Sequence, residues 1–337
     1  MNKVRIGCAG LGRLGVRHAA NIAGKVRGAE LAALCDPDAA KLEKTAGMLA
    51  VKHRFTSFED FIACPEVDAV ALASPSALHT EQIATSLDAG KHVFCEKPLG
   101  ITAAQCKKAE KAVMAHPDLV FMLGFMRRFD ESYKYARQKV LAGDIGKIVL
   151  FRSYSQDPEK FIDGAIAYAP HSGGLFLDMA VHDIDLARWF TGSEPVSAYA
   201  IGGCYAHNEF AEHNDGDNAA CLLKFKDGCM AFLFAGRTAP HGYNVETEIV
   251  GTKGTLRIAS VPQKNLVEVL DSHGVRRECS ENFLERFAAA YINEVQEFVD
   301  CIIEERKPEV TVQDGTRVSE IAYACKSAFE SGELMRF

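Results

Sequence analysis

The sequence lacks nearly everything that would send a chain into a membrane, onto a nucleic acid or into an oxidising compartment. No apolar run is long enough to span a bilayer. The N-terminal Lys3-Val4-Arg5-Ile6-Gly7 opens on charge and a strand pattern rather than on the apolar core of a signal peptide, so the expected location is the cytoplasm. Basic charge is scarce: 38 Lys and Arg stand against 45 Asp and Glu, a net charge of -7. The pairs Lys107-Lys108 and Arg276-Arg277 are isolated, so neither a nucleic-acid surface nor a membrane surface is expected. There is no Cys-x-x-Cys pair and no His-Glu-x-x-His, and no metal is expected. The 11 cysteines are odd in number and scattered, and several (Cys8, Cys35, Cys95) lie inside apolar strand patterns. They read as small buried hydrophobes of a reducing compartment rather than as a disulfide framework. Internal repeats and low-complexity tracts are also missing.

What is present is an ordinary globular composition, 48% hydrophobic and 25% charged, over 337 residues, a length that favours two domains. Through the first part, apolar runs alternate with helical patterns. Val4 to Ala9 precedes Arg13 to Ala23, Leu31 to Cys35 precedes Asp38 to Leu49, and Val67 to Ala73 precedes His79 to Ala89. His92 to Cys95 precedes Thr102 to Met114, and Val120 to Leu123 follows. Strands spaced by helices predict βαβ units and a parallel sheet covered on both faces. After about Gly124 the rhythm changes to consecutive runs joined by short turns. Lys226-Asp227-Gly228 lies between Ala219–Phe225 and Cys229–Ala235, Gly251-Thr252-Lys253 between Val245–Val250 and Gly254–Ala259, and Ser272-His273-Gly274 between Leu266–Leu270 and Val275–Cys279. That pattern predicts hairpins of an antiparallel sheet. Helices are expected over Gly174 to Phe190, Phe283 to Glu305 and Asp314 to Glu330. The predicted fold class is α/β, with a doubly wound parallel Rossmann sheet over 1–123 and an α/β domain with a largely antiparallel open sheet over 124–337.

The first strand ends in Gly10-Leu11-Gly12-Arg13-Leu14-Gly15, where a helix begins. Gly10 permits a tight turn, Gly12 lets backbone approach a pyrophosphate, and Gly15 lets the helix pack on the strand; the helix N-terminus then offers N–H groups and partial positive charge to phosphates. Asp36, about 20 residues on at the end of the next strand, stands where an acid binds the adenosine ribose. Its carboxylate favours NAD over NADP, whose 2′-phosphate it would repel. Asp36 also reads as a helix N-cap before Pro37.

Two further segments carry chemistry. Glu96-Lys97-Pro98 follows the fifth apolar run, at the sheet edge where ligands of doubly wound folds bind. Asp178 and His182 are four positions apart, which puts them on one face of an α-helix. Taken with the glycine turn, these motifs make the chain resemble the glucose–fructose oxidoreductase/inositol dehydrogenase family (Gfo/Idh/MocA) over nearly its whole length. Gly124-Phe125-Met126-Arg127-Arg128-Phe129-Asp130 looks most like inositol 2-dehydrogenases.

The resemblance implies the two-domain fold above and a catalytic set of Lys97, Asp178 and His182. Lys97 and His182 would flank the reacting carbon, with Asp178 supporting the histidine and a substrate hydroxyl. NAD would be bound by Gly10, Leu11, Gly12, Arg13, Leu14, Gly15, Asp36, Ser74, Pro75, His79, Glu96 and Lys97. His79 reads equally as a helix-start residue. Substrate would meet Lys97, Met126, Arg127, Asp157, Asp178, His182, Tyr243 and Tyr291. The implied reaction is oxidation of a ring secondary alcohol of a cyclic polyol, first an inositol (myo- or scyllo-), to the ketone. Histidine would serve as base and the lysine ammonium would stabilise alkoxide character. A pyranose dehydrogenase acting on levoglucosan or glucose, an NAD-dependent glycosidase and a non-catalytic NAD-binding regulator are the alternative readings. A homo-oligomer, dimer or tetramer, is expected through the open sheet.

Overall fold

Strand and helix alternate through the first 129 residues, as the rhythm of apolar runs requires, in a computed structural model that describes residues 3–337. In order come β1 (Val4–Ala9), α1 (Arg13–Gly24), β2 (Ala29–Cys35), α2 (Ala39–Leu49), β3 (His53–Phe55) and α3 (Phe58–Ile62). They are followed by β4 (Ala69–Leu72), α4 (His79–Asp88), β5 (His92–Glu96), α5 (Ala103–Ala115) and β6 (Phe121–Gly124). All six strands are parallel, in the order β3-β2-β1-β4-β5-β6. The order reverses between β1 and β4, the switch point where a doubly wound sheet opens a crevice at the carboxyl ends of its strands. Strands such as Ala69-Val70-Ala71-Leu72 are buried at every position; helices on both faces leave no solvent side to alternate with. Asp38, Ser57 and Thr102 cap α2, α3 and α5 by accepting first-turn N–H groups, each worth about 1 kcal/mol.

This compact unit runs to Phe129 and takes back Ala289–Ser319 from near the end of the chain. Val299 and Ile303 pack beside Gly28, and Gly315 fits so tightly beside Leu123 and Leu99 that an added Cβ would lie 2.7 Å from Leu123 Cδ2. The rhythm of apolar runs changes near Gly124, and the first segment of this unit ends at Phe129. An amphipathic helical pattern at 283–305, however, does not say which unit its apolar face will cover.

The second unit comprises Asp130–Ala288 and Glu320–Phe337. It starts with α6 (Glu131–Leu141), β7 (Ile148–Pro158), α7 (Ile162–Ser172), a π-helical turn over Phe176–Ala180, and α8 (Val181–Thr191). Strands β8 (Pro195–Gly203), β9 (Asn218–Phe225), β10 (Met230–Ala239), β11 (Asn244–Gly251), β12 (Thr255–Ile258), β13 (Val269–Asp271) and β14 (Gly274–Arg276) follow. After α9 (Phe283–Arg286) the chain returns to the first unit with α10 (Ala288–Ile303) and the start of α11 (Val312–Ser331), and the second unit ends with the rest of α11 and β15 (Met335–Arg336). The single helix expected over 283–305 is thus broken at Phe287. Seven strands form one sheet, β12-β11-β7-β10-β9-β8-β15. Every pairing in it is antiparallel except β7 with β10, which is parallel, so the sheet is mixed. The three expected hairpins form, although β13 and β14 are short and make a separate ribbon. One face is core: Phe151, Ala198, Ala200, Cys221, Leu223, Ala231 and Leu233 are buried. The alternate residues Tyr199, Ile201, Leu222 and Met230 point outward and are 39–59% exposed.

Candidate functional site

Within the first unit the glycine turn sits at the switch point between β1 and β4. Gly10 has φ +86°, and an added Cβ would lie 2.5 Å from the Ser74 nitrogen. A Cβ on Gly15 would fall 1.7 Å from the Gly10 carbonyl oxygen, so the helix start lies directly on the turn. Gly12, by contrast, faces open space, and no side chain caps the first N–H groups of α1. Those donors point where a pyrophosphate would bind. Asp36 closes the turn from the side: its Oδ2 accepts the Leu11 N–H at 2.6 Å and its Oδ1 the Asp38 N–H at 2.9 Å. The helix cap itself falls to Asp38, which accepts from Ala40 and Lys41. Asp36, 7% exposed, therefore lies against the phosphate turn at the end of β2, and the N-cap reading of it is set aside. An open helix terminus beside a carboxylate at this strand end fits an adenine dinucleotide.

The Glu96-Lys97-Pro98 segment leaves β5 beside this turn, with a cis Lys97–Pro98 peptide. His79 is buried, and its ring nitrogens face the Pro98 carbonyl at 2.8 Å and the Ser74 carbonyl at 3.0 Å. Burial lowers its pKa, only partly offset by those two carbonyls. The ring ties the Ser74-Pro75 turn to the Pro98 turn. Lys97 is half-buried and donates its backbone N–H to Glu96 Oε2 at 3.3 Å. Glu96 Oε1 meets His18 Nε2 at 2.7 Å. His18, Glu96 and Glu294 bring ligand-type atoms within 4.8 Å of one another. The short His18–Glu96 contact makes this a hydrogen-bonded cluster, and no sequence motif announces it. Met126 and Arg127, on the turn after β6, are almost fully buried, and Tyr291 packs its ring edge on His18 at 5.8 Å.

In the second unit, Asp178 lies in the π turn and His182 in the first turn of α8. The expected unbroken α-helix over Gly174 to Phe190 does not form. The wider turn carries an extra residue, as π turns near functional sites commonly do, so α-helical spacing alone does not describe the pair. His182 is 8% exposed. Asp178 keeps an exposed edge, and its Oδ2 accepts from Arg237 Nη2 at 3.2 Å. Arg237, only 2% exposed, also donates to Asp215 Oδ2 at 3.0 Å and lies over the Phe210 ring at 4.7 Å. Burial alone would lower its pKa, but the two carboxylates more than offset that and raise it. Asp215 Oδ1 in turn accepts the Leu175 N–H at 2.9 Å, which fixes the entry to the π turn. Just after His182, buried Asp183 accepts from Ser153 at 2.6 Å and Ser155 at 2.7 Å, pinning α8 to β7. Asp157 is the penultimate residue of β7, and Tyr243, 6% exposed, sets its ring edge against Phe287. Arg237, Asp215 and Asp183 escape sequence reasoning. The only hint of them is the presence of charged residues in otherwise apolar strand and helix patterns.

A parallel sheet with a phosphate-ready turn and a strand-end acid, joined in one chain to a mixed-sheet unit, defines a nicotinamide-dependent oxidoreductase. Residues 4–125 match the oxidoreductase family with an NAD-binding Rossmann fold, and residues 133–257 match the GFO/IDH/MocA C-terminal domain. The NAD-dependent scyllo-inositol 2-dehydrogenase of Bacillus subtilis (strain 168) is 32% identical, over 98% of this chain and 95% of its own. The crystal structure of scyllo-inositol dehydrogenase from Lactobacillus casei with bound NAD(H) and scyllo-inositol superposes with a TM-score of 0.96. It is 45% identical and covers 99% of both chains. Myo-inositol 2-dehydrogenase from Lactobacillus plantarum gives a TM-score of 0.97 at 40% identity over 100% of each chain. The chain belongs to the GFO/IDH/MocA family and is an NAD-dependent oxidoreductase.

Proposed function

We propose that this enzyme oxidises a ring secondary alcohol of an inositol to the corresponding ketone. The observation that carries the proposal is the end-to-end match to inositol dehydrogenases, one of them holding NAD(H) and scyllo-inositol. The first unit, which contains Gly10–Gly15, Asp36 and the Ser74-Pro75 turn, is the cofactor unit, and the second supplies the acid–base pair. Bound NAD supplies the hydride acceptor. The chain's residues do the rest. The Lys97 ammonium, anchored at the end of β5, stabilises negative charge on the reacting oxygen. His182 takes the hydroxyl proton; an imidazole has the right basicity near neutral pH. Asp178, held by Arg237, orients a substrate hydroxyl and supports the imidazolium. Met126, Arg127, Asp157, Tyr243 and Tyr291 shape the substrate site. Asp157, an acceptor where an amide could also donate, selects among hydroxyl configurations.

The outward residues Tyr199, Ile201, Leu222 and Met230 support a homo-oligomer built on the open face of the mixed sheet. A cytoplasmic enzyme fits the burial of nine of its cysteines. Among the described residues, no helix is long and apolar enough to cross a membrane. The test is a screen of scyllo-, myo- and chiro-inositol, glucose and levoglucosan with NAD and NADP, following NADH absorbance. Turnover with an inositol and NAD is expected. Turnover with pyranoses only, or substrate consumption without net NADH, would overturn the proposal.

A further inference from the structure

His18 lies in α1, the helix whose N-terminus carries the glycine turn, and is 1% exposed. Its ring is held edge-on by Phe94 at 5.3 Å and Tyr291 at 5.8 Å. Its Nε2 is 2.7 Å from Glu96 Oε1, and the other oxygen of Glu96 accepts the Lys97 N–H at 3.3 Å. Beneath them Glu294 of α10 is fully buried, 4.0 Å from His18 Nε2, and neither of its oxygens has a hydrogen-bond partner. Two carboxylates buried this close cannot both be charged. Burial, with the Glu96 charge adding to it, pushes the Glu294 pKa well above its ordinary value, so Glu294 retains its proton. The 2.7 Å contact between His18 and Glu96 is a short, buried hydrogen bond that joins α1 to the end of β5.

We propose that His18 is a positioning residue for Lys97, clamping Glu96 so that the cofactor helix and the catalytic amine are held in one fixed relation. The inference rests on the reading of Lys97 as catalytic. It adds a residue outside the expected catalytic set, acting through Glu96 rather than touching substrate. Because α1 presents its N-terminus to phosphate, the clamp makes the amine's position depend on the helix that grips the cofactor. In this chain the path runs from α1 through His18 and Glu96 to the backbone N–H of Lys97, and fixes the point from which the lysine side chain extends.

The test compares the whole enzyme with His18→Leu, His18→Gln, Lys97→Ala and the His18→Leu/Lys97→Ala double variant, measuring kcat, KM for NAD and inositol, and Tm. Gln can place an amide donor near the position of Nε2, whereas Leu cannot. His18→Leu is expected to lower kcat about 10- to 100-fold with both KM values within about threefold, the pattern of a displaced catalytic group. His18→Gln should recover most of that loss. The double variant should be no slower than Lys97→Ala, because a residue acting through another adds nothing once its target is gone. Multiplying effects in the double variant, or no recovery with Gln, would overturn the clamp. So would unchanged kcat in His18→Leu, or a tightly held equivalent of divalent metal in the purified enzyme. Full turnover by Lys97→Ala would instead overturn the reading on which it rests.

Discussion

Replacing Arg237 by Met tests whether the second unit's site is organised around one buried cation. The guanidinium joins Asp178 at 3.2 Å and Asp215 at 3.0 Å, and only 2% of its side chain meets solvent. Met fills similar space and keeps the contact with Phe210, so packing loss is small. What remains is a buried Asp215 without its cation, and breaking a buried pair in this way costs about 3–5 kcal/mol. Asp178, with 26% of its side chain exposed, adds little, since water screens it. For a unit of this size, about 2–4 °C of Tm per kcal/mol gives a drop of roughly 6–20 °C by differential scanning fluorimetry. Activity should fall by more than stability predicts: Asp178 loses its anchor, and misplacement of about 1 Å costs on the order of 10²-fold in kcat. Arg237→Lys keeps the charge but cannot reach both carboxylates with a planar fork, so it should fall between wild type and Met in both assays. If Arg237→Met melts within about 2 °C of wild type and turns over within about twofold, the buried cation organises neither the fold nor the site.

Three more outcomes follow from the same structure. Lys97→Ala and His182→Ala should each lower kcat by about 10²- to 10⁴-fold while NAD still binds, as followed by nucleotide fluorescence; near wild-type turnover in either rejects its role. Asp36→Ala should raise KM for NAD about 10- to 100-fold, the worth of a charged hydrogen bond, and narrow the preference over NADP. Unchanged kinetics with both cofactors would remove Asp36 from the site. Glu294, facing His18 of α1 and Glu96 of β5, has its pKa pushed well above 4.5 by burial, with the Glu96 charge adding to it. The native state therefore holds a proton that the unfolded chain gives up above about pH 4.5, so the wild type loses stability as pH rises through that window. Glu294→Gln lacks this titration, and its stability relative to wild type should climb by up to about 1.4 kcal/mol per pH unit. A difference that stays flat from pH 4 to pH 8 would refute the protonated carboxyl.

Much of the fold could be read because its physics is local. Parallel strands buried on both faces leave continuous apolar runs such as Val93-Phe94-Cys95, and turn residues such as Lys226-Asp227-Gly228 mark hairpins. The glycine turn is legible because backbone approach leaves so few residue choices. What stays hidden depends on contacts between distant segments. Nothing near His18 signals that it will meet Glu96, 78 positions away, or that Glu294 will lie beneath both. The π turn at Phe176–Ala180 is invisible to a pattern that assumes regular helix, and Arg237 looks like an ordinary strand residue until Asp178 and Asp215 converge on it. The parallel β7–β10 pairing is similarly non-local, because it needs the intervening helices and strands to return the chain in the same direction.

The re-entry of Ala289–Ser319 into the first unit has a consequence for biosynthesis. Translation delivers the six parallel strands early, yet Glu294, Val299 and Gly315 are still unmade when they emerge. Chains fold as they leave the ribosome where they can, but here the nucleotide-gripping half must wait, its last surface uncovered, for more than half the message to be read. A gene fragment ending at Phe129 would inherit that same uncovered surface permanently, and recombination that moves this half into another protein has to carry two separate pieces of coding sequence at once.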